Sequence, residues 1–232
     1  MKAEWQSLSA RVVNILRREG IKTLGELREK RHMVDEISGI GSLALEEIDR
    51  CLGGGPVMLH LGAGMVSIPN FTNIDTRELP GIDIVASADR LDMFGDNSVD
   101  LIYASHCLEH FPRRDTQRVL QEWRRVLKSG GTLRLSVPDF SAVVEVYTLT
   151  RNMALVLGHL VGGQEYPGNT HFMVFDFAYL STLLSEVGFR CIRKWDWRQT
   201  IHRKYDDWAQ DYYPHMDKEH GILMSLNVEA DK

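Results

Sequence analysis

The chain has 232 residues, of which 44% are hydrophobic and 25% are charged, and its formal net charge is −5. This length predicts one domain of ordinary size with a small appendage, and the apolar share is enough for a packed core. The negative balance disfavours general attraction to nucleic acid. No apolar run approaches the ~18–20 residues of a membrane span, and the missing signal-peptide pattern favours a cytoplasmic location.

The first fifty residues are predicted to form a separate helical unit. Apolar residues at helical spacing follow Ser9, and Gly20 ends this first helix. A second helix is predicted over 24–31, a tight glycine turn over 37–42 and a third helix over 43–52. The expected organisation is therefore a small all-helical domain followed by a larger one.

The helical unit contains the segments LSARVVNILRREGIKTLGEL (8–27) and ISGIGSLALEEI (37–48). In these segments it resembles the helix-hairpin-helix domain at the carboxyl terminus of the bacterial RNA polymerase α subunit. Such units often bind DNA backbones through the N–H groups of the glycine turn and nearby basic residues. Here Ser42-Leu43-Ala44 stands where a basic pair would be, and acidic and basic residues are equal in number over 1–52. Nucleic-acid binding is therefore the disfavoured alternative, and a small domain that serves for packing or for contact with another protein is expected.

The predicted domain boundaries follow from a glycine-rich joint. Residues 1–52 form the helical domain, residues 53–56 (Gly-Gly-Gly-Pro) form a flexible linker, and residues 57–232 form the second domain.

The second domain opens on Val-Met-Leu-His-Leu-Gly-Ala-Gly, residues 57–64, a pattern that predicts a buried parallel strand ending in a Gly-x-Gly turn. Glycines let the backbone turn sharply and approach a bound group where a Cβ would clash. A second short strand over 71–75 ends in Asp75, which is placed to accept both hydroxyls of a ribose. Together these features predict a site for an adenosine-containing cofactor. Ser67 occupies the third-glycine position of a dinucleotide motif, which disfavours a dinucleotide.

Further strands are predicted over 82–89, over 96–106 and over 130–138, with a helix that begins after Leu108-Glu109-His110. The interval between the glycine turn and the second strand is too short for a crossover helix, which normally needs at least ~10–12 residues. A turn ended by Pro69 is expected there instead.

These elements carry the motifs HLGAG (60–64), NID (73–75), DNSVDLIYASHCLEH (96–110), RRVLKSGGTLRLSVPD (124–139) and LLSEVGF (183–189). In these motifs and their order, the chain resembles the class I S-adenosylmethionine-dependent methyltransferases over about residues 56–190. The resemblance implies an α/β fold with a Rossmann-like, doubly wound, seven-stranded sheet. It also implies methyl transfer as the activity and S-adenosylmethionine as the cofactor.

The resemblance places the cofactor on the turn after the first strand and on the ends of the next three. It implies that the cofactor is bound by His60, Leu61, Gly62, Ala63, Gly64, Asp75, Asp89, Ser105 and His106. In this arrangement the glycine turn lies under the methionine moiety, and Asp75 binds the ribose. The segment around Asp89 meets the adenine, while Ser105 and His106 face the sulfonium and its methyl group.

Two positions depart from the family pattern. Family members often carry an acid where this chain has His60, so His60 or a backbone carbonyl must hold the cofactor's amino group. The acid after the third strand does not align cleanly, and Asp92 stays an alternative to Asp89.

Methyl transfer from a sulfonium mainly requires alignment and exclusion of water. A base is needed only if the acceptor is a hydroxyl or a protonated amine. His106 and His171 are the candidate catalytic residues, whereas for His110 a hydrogen bond at the start of a helix is the simpler role. His171 belongs to the glycine-rich loop 162–173, which is expected to shape the acceptor pocket.

Beyond the fifth strand, residues 140–161 are predicted to be helical, and a helix over 176–187 begins at the N-cap Asp176. Residues 190–197 and 221–229 are predicted to be strands six and seven, which would form an antiparallel edge of the sheet.

The segment 198–220 is rich in aromatic and polar residues, and two interpretations stay open: a lid that stacks on the acceptor, or a cover for the sheet. His215 and His220 lack further ligands at metal-binding spacing, so no metal is expected. The cysteines, at positions 51, 107 and 191, are predicted to be buried thiols rather than disulfides.

The leading hypothesis is therefore a methyltransferase that uses S-adenosylmethionine and acts on a small-molecule acceptor, such as a sugar or another metabolite. Fold alone leaves other uses open. These are aminopropyl transfer, a non-catalytic sensor that binds the same cofactor, and a DNA-associated protein targeted by its helical domain.

Overall fold

The computed structural model describes residues 8–52, 56–166, 168–215 and 217–232. The chain divides into two compact units, Met1–Pro56 and Val57–Lys232. The division falls at the end of the predicted linker, and residues 53–55 of that linker lie outside the described residues.

The first unit is helical, with α1 (Ala10–Arg18), α2 (Leu24–Glu29), a 3-10 helix (Arg31–Glu36) and α3 (Ser42–Cys51). The hydroxyl of Ser9 caps α1 by accepting a hydrogen bond from the Val12 N–H. Apolar side chains spaced along the helices meet in one core that includes Leu16, Leu27 and Ile48. The 3-10 helix was not expected, because its sequence carries no apolar periodicity of its own.

The second unit alternates strands and helices. Its strands are β1 (Met58–Leu61), β2 (Thr72–Asp75), β3 (Ile84–Val85), β4 (Val99–Ser105), β5 (Leu127–Pro138), β6 (Arg190–Lys194), β7 (Tyr212–Tyr213), β8 (Ile222–Leu223) and β9 (Ser225–Asp231). Its helices are α4 (Arg113–Val126), α5 (Phe140–Thr150), α6 (Leu157–Val161) and α7 (Phe177–Val187). Short 3-10 turns lie at Leu108–His110, Met153–Leu155, Trp197–Gln199, Ile201–Lys204 and Trp208–Gln210. As predicted, Asp176 caps α7 by accepting from the Tyr179 N–H at 2.7 Å.

Within the described residues, seven strands form one sheet in the order β3-β2-β1-β4-β5-β9-β6, which confirms the predicted α/β sheet. Strands β3, β2, β1, β4 and β5 run parallel to one another, and β9 is antiparallel to both β5 and β6. The prediction that strands six and seven form an antiparallel edge of the sheet is confirmed, since β6 and β9 are that edge. Residues 222–223 of the predicted seventh strand pair with β7 instead. The last strand inserts between β5 and β6, and pairing partners of this kind cannot be deduced from a strand's own sequence.

The two faces of the sheet are covered differently. Alternate residues such as Leu59 and Ile102 pack against α4 and α7, where Trp123 and Leu184 are fully buried. The intervening residues point to the other face, because side chains alternate along a strand. There Tyr103 lies in an aromatic layer with Trp195, Trp197 and Tyr212.

The aromatic layer stands where a crossover helix would pack. As predicted, residues 62–71 form turns and no helix, so β1 and β4 need another cover on this face. Tyr212 and its aromatic neighbours supply it, which supports the sheet-cover interpretation of the segment 198–220. Trp208 differs, since 62% of its surface is exposed and its ring centre lies 5.9 Å from that of His106.

The three cysteines are unpaired, as predicted. Cys107 is buried and Cys51 is half-buried, but the predicted burial of Cys191 was wrong. Cys191 has a φ of +50° and lies in an irregularity of β6 between Arg190 and Arg193, which leaves it exposed. None of the described helices is long and apolar enough to span a bilayer.

Candidate functional site

A cavity of about 220 Å³ opens at the edge of the sheet where β1, β2, β3 and β4 end. Because the carboxyl ends of parallel strands meet at one edge, segments distant in sequence converge there. The cavity is lined by Gly62, Asp75, Thr76, Arg77, Ala86, Ser87, Ala88, His106, Cys107, His110, Phe111, Tyr166 and Gly168.

The turn after β1 requires glycine. Gly62 has a φ of +66° and Gly64 a φ of +55°, in the left-handed region that favours glycine. A Cβ on Gly62 would also lie 3.0 Å from the Sγ of Cys107. Burial raises the pKa of the Cys107 thiol, so Cys107 packs against the turn as a neutral group.

Asp75 ends β2 as a buried, ionised carboxylate. Its Oδ2 accepts a hydrogen bond from the Gly64 N–H at 2.9 Å, and its Oδ1 accepts from the N–H and Nε of Arg77 at 2.9 and 3.1 Å. Burial alone would raise the pKa of Asp75, but the hydrogen bonds from Arg77 and Gly64 outweigh it and hold the pKa below its ordinary value. Asp75 is therefore a charged hydrogen-bond acceptor at the cavity wall.

A contact between Arg77 and Tyr166 connects this wall to the loop after α6. The guanidinium carbon of Arg77 lies 4.5 Å from the centre of the Tyr166 ring, in cation–π geometry. Tyr166 and Gly168 also line the cavity, so the glycine-rich loop borders the cavity, as predicted for an element that shapes a pocket.

His106 follows β4 with a φ of +48°, a strained conformation for a residue with a side chain. Its Nε2 donates to the Oγ of Ser225 at 2.8 Å, because Ser225 gives its own proton to the Trp208 carbonyl at 2.6 Å. Its Nδ1 lies 3.2 Å from the Oε1 of Glu109. Burial, followed by the neighbouring histidines, lowers the pKa of His106 well below its ordinary value.

Glu109 is fully buried, and neither of its carboxylate oxygens has a hydrogen-bond partner among the described residues. Burial raises its pKa to about 8. A buried carboxyl group without hydrogen bonds is unfavourable in either protonation state, so its retention at this position calls for a functional explanation.

His110 and His171 lie beside Glu109 with their ring centres 4.9 Å apart. The Nδ1 of His110 donates to the Thr170 carbonyl at 3.0 Å, and the Nδ1 of His171 donates to the His159 carbonyl at 3.1 Å. Burial lowers the pKa of both rings. The Phe172 N–H donates to the Glu109 carbonyl at 2.8 Å, which joins the loop to the turn after β4.

The structure brings several predicted residues to the cavity: Gly62, Asp75 and His106 line it, and Gly64 bonds Asp75. His171 borders the cavity wall through its contact with His110. The side chain of His60, which was predicted to contact the cofactor just before the glycine turn, does not reach the cavity.

His60 points to the aromatic face of the sheet because side chains alternate along β1. Its Nδ1 lies 3.2 Å from the Asn73 Oδ1, and its ring centre is 5.1 Å from that of Tyr103. Burial lowers its pKa to about 4. The predicted cofactor contact can therefore come from the backbone at His60 but not from its side chain.

Four other residues predicted to bind the cofactor do not line the cavity: Leu61, Ala63, Ser105 and Asp89. Leu61 and Ala63 are buried, and the Ser105 hydroxyl is buried outside the cavity lining. The Asp89 carboxylate accepts from Ser87 and from Arg118 instead of facing the cavity. The alternative residue, Asp92, is exposed.

The sequence reasoning missed four side chains of the site: Arg77, Glu109, Phe111 and Tyr166. Glu109 could have been found, because an acid between His106 and His110 directly after a buried strand is an unusual concentration of ionisable groups. No signal in the sequence pointed to Tyr166, since its position depends on how the loop folds back.

Part of the second unit is similar in sequence to a known protein family. Residues 63–135 match the sequence profile of the family described as "Methyltransferase domain", a match that runs from the glycine turn into β5. The chain is a methyltransferase. Its cofactor is S-adenosylmethionine. No curated protein sequence matches the chain.

The methyltransferase is also similar to solved structures. One is a SAM-dependent methyltransferase from Archaeoglobus fulgidus, with 15% identity, a TM-score of 0.48, and coverage of 93% of this chain and 94% of that one. Another is the 1,6-didemethyltoxoflavin-N1-methyltransferase of Burkholderia thailandensis, with 14% identity, a TM-score of 0.47 and coverage of 97% and 91%. A third, from Methanosarcina mazei, has 18% identity, a TM-score of 0.46 and coverage of 76% and 92%. With TM-scores below 0.5, these likenesses assign no residue a role in the methyltransferase.

The residues of the methyltransferase fit its cofactor. Gly62 lines the cavity, and its left-handed turn exposes backbone there without a side chain. The ionised Asp75 can accept further hydrogen bonds from hydroxyl groups, since its Oδ2 accepts only one, from Gly64, and a carboxylate oxygen offers about two lone pairs.

Proposed function

We propose that this methyltransferase acts on a small-molecule acceptor, such as a sugar or another metabolite, held between the turn after β4 and the glycine-rich loop. One observation carries the proposal. A single cavity of about 220 Å³ has Gly62 and Asp75 at one side, His106 and His110 at another, and Tyr166 from the loop beside them. A concave cavity bordered by a loop suits a small acceptor better than a folded macromolecule.

In the proposed site, Asp75 holds the ribose hydroxyls and the backbone at Gly62 supports the methionine moiety. Ala86, Ser87 and Ala88 pack around the adenine, which replaces the predicted contact through Asp89. When bound, S-adenosylmethionine supplies an electrophilic methyl group on a sulfonium. The remaining task of the chain is to align the acceptor and exclude water, and these effects can supply several kcal/mol.

The two candidate catalytic histidines differ in whether a ring nitrogen is free of protein partners among the described residues. Both ring nitrogens of His106 face protein groups, Ser225 and Glu109, so we assign His106 a positioning role for Glu109 and the end of β4. His171 uses only Nδ1 within the described residues, which leaves its Nε2 as a possible acceptor. His110 shares this arrangement, contrary to the simpler role expected from the sequence.

The experiment is methyl transfer from radiolabelled S-adenosylmethionine into separated cell fractions. Label in the low-molecular-mass fraction, lost in Asp75→Ala, is the expected result. Label found only in protein or nucleic acid would contradict a small acceptor. Cofactor binding without any methyl transfer would favour the alternative of a non-catalytic sensor.

For the helical unit we propose contact with another protein rather than with DNA. Leu43, next to the glycine turn, is 79% exposed, where a DNA-binding unit of this kind would present a basic residue. The equal numbers of acids and bases over 1–52 also disfavour phosphate contacts. A fluorescence titration with duplex DNA at low salt is expected to show no tight, salt-sensitive binding, and the opposite result would overturn this proposal.

A further inference from the structure

We propose that Glu109, His110 and His171 form a binding site for one first-row divalent cation, such as Mn²⁺, Fe²⁺, Co²⁺ or Zn²⁺. One ligand atom from each residue lies within 4.8 Å of the others. Two of the residues come from the turn after β4 and the third from the glycine-rich loop, so the site lies where the acceptor side of the cavity is built. His110 itself lines the cavity.

The hydrogen bonds of the two histidines fix the tautomer that a metal needs. A carbonyl oxygen can only accept, so the Nδ1 atoms of His110 and His171 carry protons that they donate to Thr170 and His159. In a neutral ring, Nε2 is then the unprotonated atom. Metal-binding histidines usually donate their other N–H to a backbone carbonyl or carboxylate, which orients the ring and raises its basicity.

Glu109 supplies the independent observation. Its side chain is fully buried, and both oxygens lack hydrogen-bond partners among the described residues. His106 approaches Oε1 at 3.2 Å without a hydrogen bond to it. A cation would compensate this carboxylate and would explain why the chain keeps an acid at a position where a neutral residue would be less unfavourable.

The donor set indicates which cations fit. Two imidazoles and one carboxylate are typical ligands for divalent transition metals and leave coordination positions open. With bonds of about 2.1 Å, ligand atoms stand roughly 3 to 3.4 Å apart, so binding would draw the three ligand atoms together from separations of up to 4.8 Å. Magnesium alone fits less well, because it prefers oxygen ligands.

The consequence for the reaction rests on the proposed function of this site. Open metal positions on the cavity side would bind a hydroxyl oxygen of the acceptor and lower its pKa. The hydroxyl proton passes to water, and an oxygen lone pair forms the new C–O bond to the methyl carbon. The C–S bond of the sulfonium breaks with its electron pair going to sulfur, which gives the methyl ether and S-adenosylhomocysteine.

The sequence-based expectation of no metal considered His215 and His220. Both are exposed and neither belongs to the cluster. The cluster escaped notice because Glu109 and His110 are separated from His171 by about sixty residues, and only the fold of the loop unites them.

The test is a titration of the full, metal-free chain with Co²⁺, followed by visible ligand-field absorption. We expect one equivalent to bind. Glu109→Gln and His171→Ala should each weaken Co²⁺ binding on the order of 100-fold or more, because loss of even an outer partner of a metal ligand typically costs 10- to 100-fold. The exposed His220→Ala variant is the matched control and should bind as the unaltered chain does.

Calorimetry with S-adenosylhomocysteine on the same metal-free samples separates this proposal from the function on which it rests. Retained binding shows that a variant is folded and that the cofactor site is intact. Absence of Co²⁺ binding in the unaltered chain, or undiminished binding in both Glu109→Gln and His171→Ala, would overturn the metal site without affecting the cofactor assignment. If a variant fails to fold, the anomalous signal of Mn²⁺ in crystals of the unaltered chain decides: a peak between Glu109, His110 and His171 supports the site, and its absence there contradicts it.

Discussion

The two sides of the cavity differ in how their buried acids are hydrogen-bonded. Asp75, on the proposed cofactor side, accepts three hydrogen bonds from Gly64 and Arg77, and its pKa is held low. Glu109, on the proposed acceptor side, accepts none among the described residues, and its pKa is raised to about 8. The chain itself thus satisfies the first carboxylate and leaves the second to be satisfied by something bound.

The two acids illustrate two ways in which a protein can prepare a site for a ligand. At Asp75 the protein fixes charge and orientation in advance, which limits the cost of ordering when the cofactor binds. At Glu109 the protein keeps an unfavourable group in place, which is common at functional sites where stability is traded for activity. Substitutions at the two acids should therefore affect stability with opposite signs.

The largest expected effect is on the cofactor side. Asp75→Ala removes the acceptor of both ribose hydroxyls, and two hydrogen bonds to a charged group are worth about 3 to 6 kcal/mol. Calorimetry should show the Kd for S-adenosylhomocysteine raised on the order of 100-fold or more. Asp92→Ala is the control, because the exposed Asp92 does not line the cavity, and its effect should stay below about fivefold. Equal losses in the two variants would break the assignment of the ribose to Asp75.

On the acceptor side, the sign of the stability change is the critical result. Glu109→Met replaces a buried carboxyl group without hydrogen bonds by an apolar side chain of similar size. Urea unfolding of metal-free protein should show it more stable by up to about 3 kcal/mol. Asp75→Ala should be destabilised in the same measurement, since Gly64 and Arg77 lose their acceptor. Destabilisation of both variants would remove the contrast between the two sides.

A third buried group sharpens the comparison because it has unpartnered polar atoms but does not line the cavity described above. His202 is fully buried, stacks on Tyr103 with ring centres 3.7 Å apart, and its ring nitrogens lack hydrogen-bond partners among the described residues. Burial lowers its pKa to about 3. Between the ordinary histidine pKa and this value, the unfolded chain binds a proton that the folded chain does not, so stability falls as pH falls.

The measurable consequence is a difference in acid sensitivity. Between pH 7.5 and pH 5, His202 should lower the free energy of unfolding by about 2 kcal/mol. This figure corresponds to roughly 1.5 pH units below the ordinary histidine pKa, at about 1.4 kcal/mol per unit. His202→Phe keeps the aromatic ring and cannot titrate, so its loss of stability over this range should be smaller by that amount. Identical pH profiles for the two proteins, measured by urea unfolding, would show that His202 titrates normally.

The smallest expected effect concerns the loop that borders both sides. Tyr166→Leu removes the ring that contacts Arg77, a contact worth about 0.5 to 1 kcal/mol. The dissociation rate of S-adenosylhomocysteine, followed by stopped flow, should rise about two- to fivefold. Tyr166→Phe retains the ring and should dissociate at nearly the original rate. A rate equally raised in Tyr166→Phe would assign the effect to the hydroxyl instead.

Much of this site could be predicted because it depends on local pattern. The apolar run into Gly62 and the acid ending the next strand are signatures readable within a few residues, and the short interval that follows predicted the missing helix. The resemblance extended these signatures to a sheet and a cofactor. Asp75 and Gly62 lie in the cavity for the reasons that the sequence supplied.

The rest depends on contacts between distant segments. The side chain of His60 faces the aromatic layer because its strand alternates, and a strand buried on both faces does not reveal which residue faces which side. His171 reaches His110 only because the loop folds back onto the turn after β4. The insertion of β9 between β5 and β6 also joins distant segments, so the sequence did not predict it.

A crystal structure of the chain with S-adenosylhomocysteine tests most directly whether this cavity is the methyl-transfer site. Both ribose hydroxyls should lie within hydrogen-bond distance of the Asp75 carboxylate, and the sulfur should lie at the end of β4 beside His106. A nucleoside bound elsewhere on the chain, or a complex in which Asp75 keeps only its bonds to Gly64 and Arg77, would contradict that expectation.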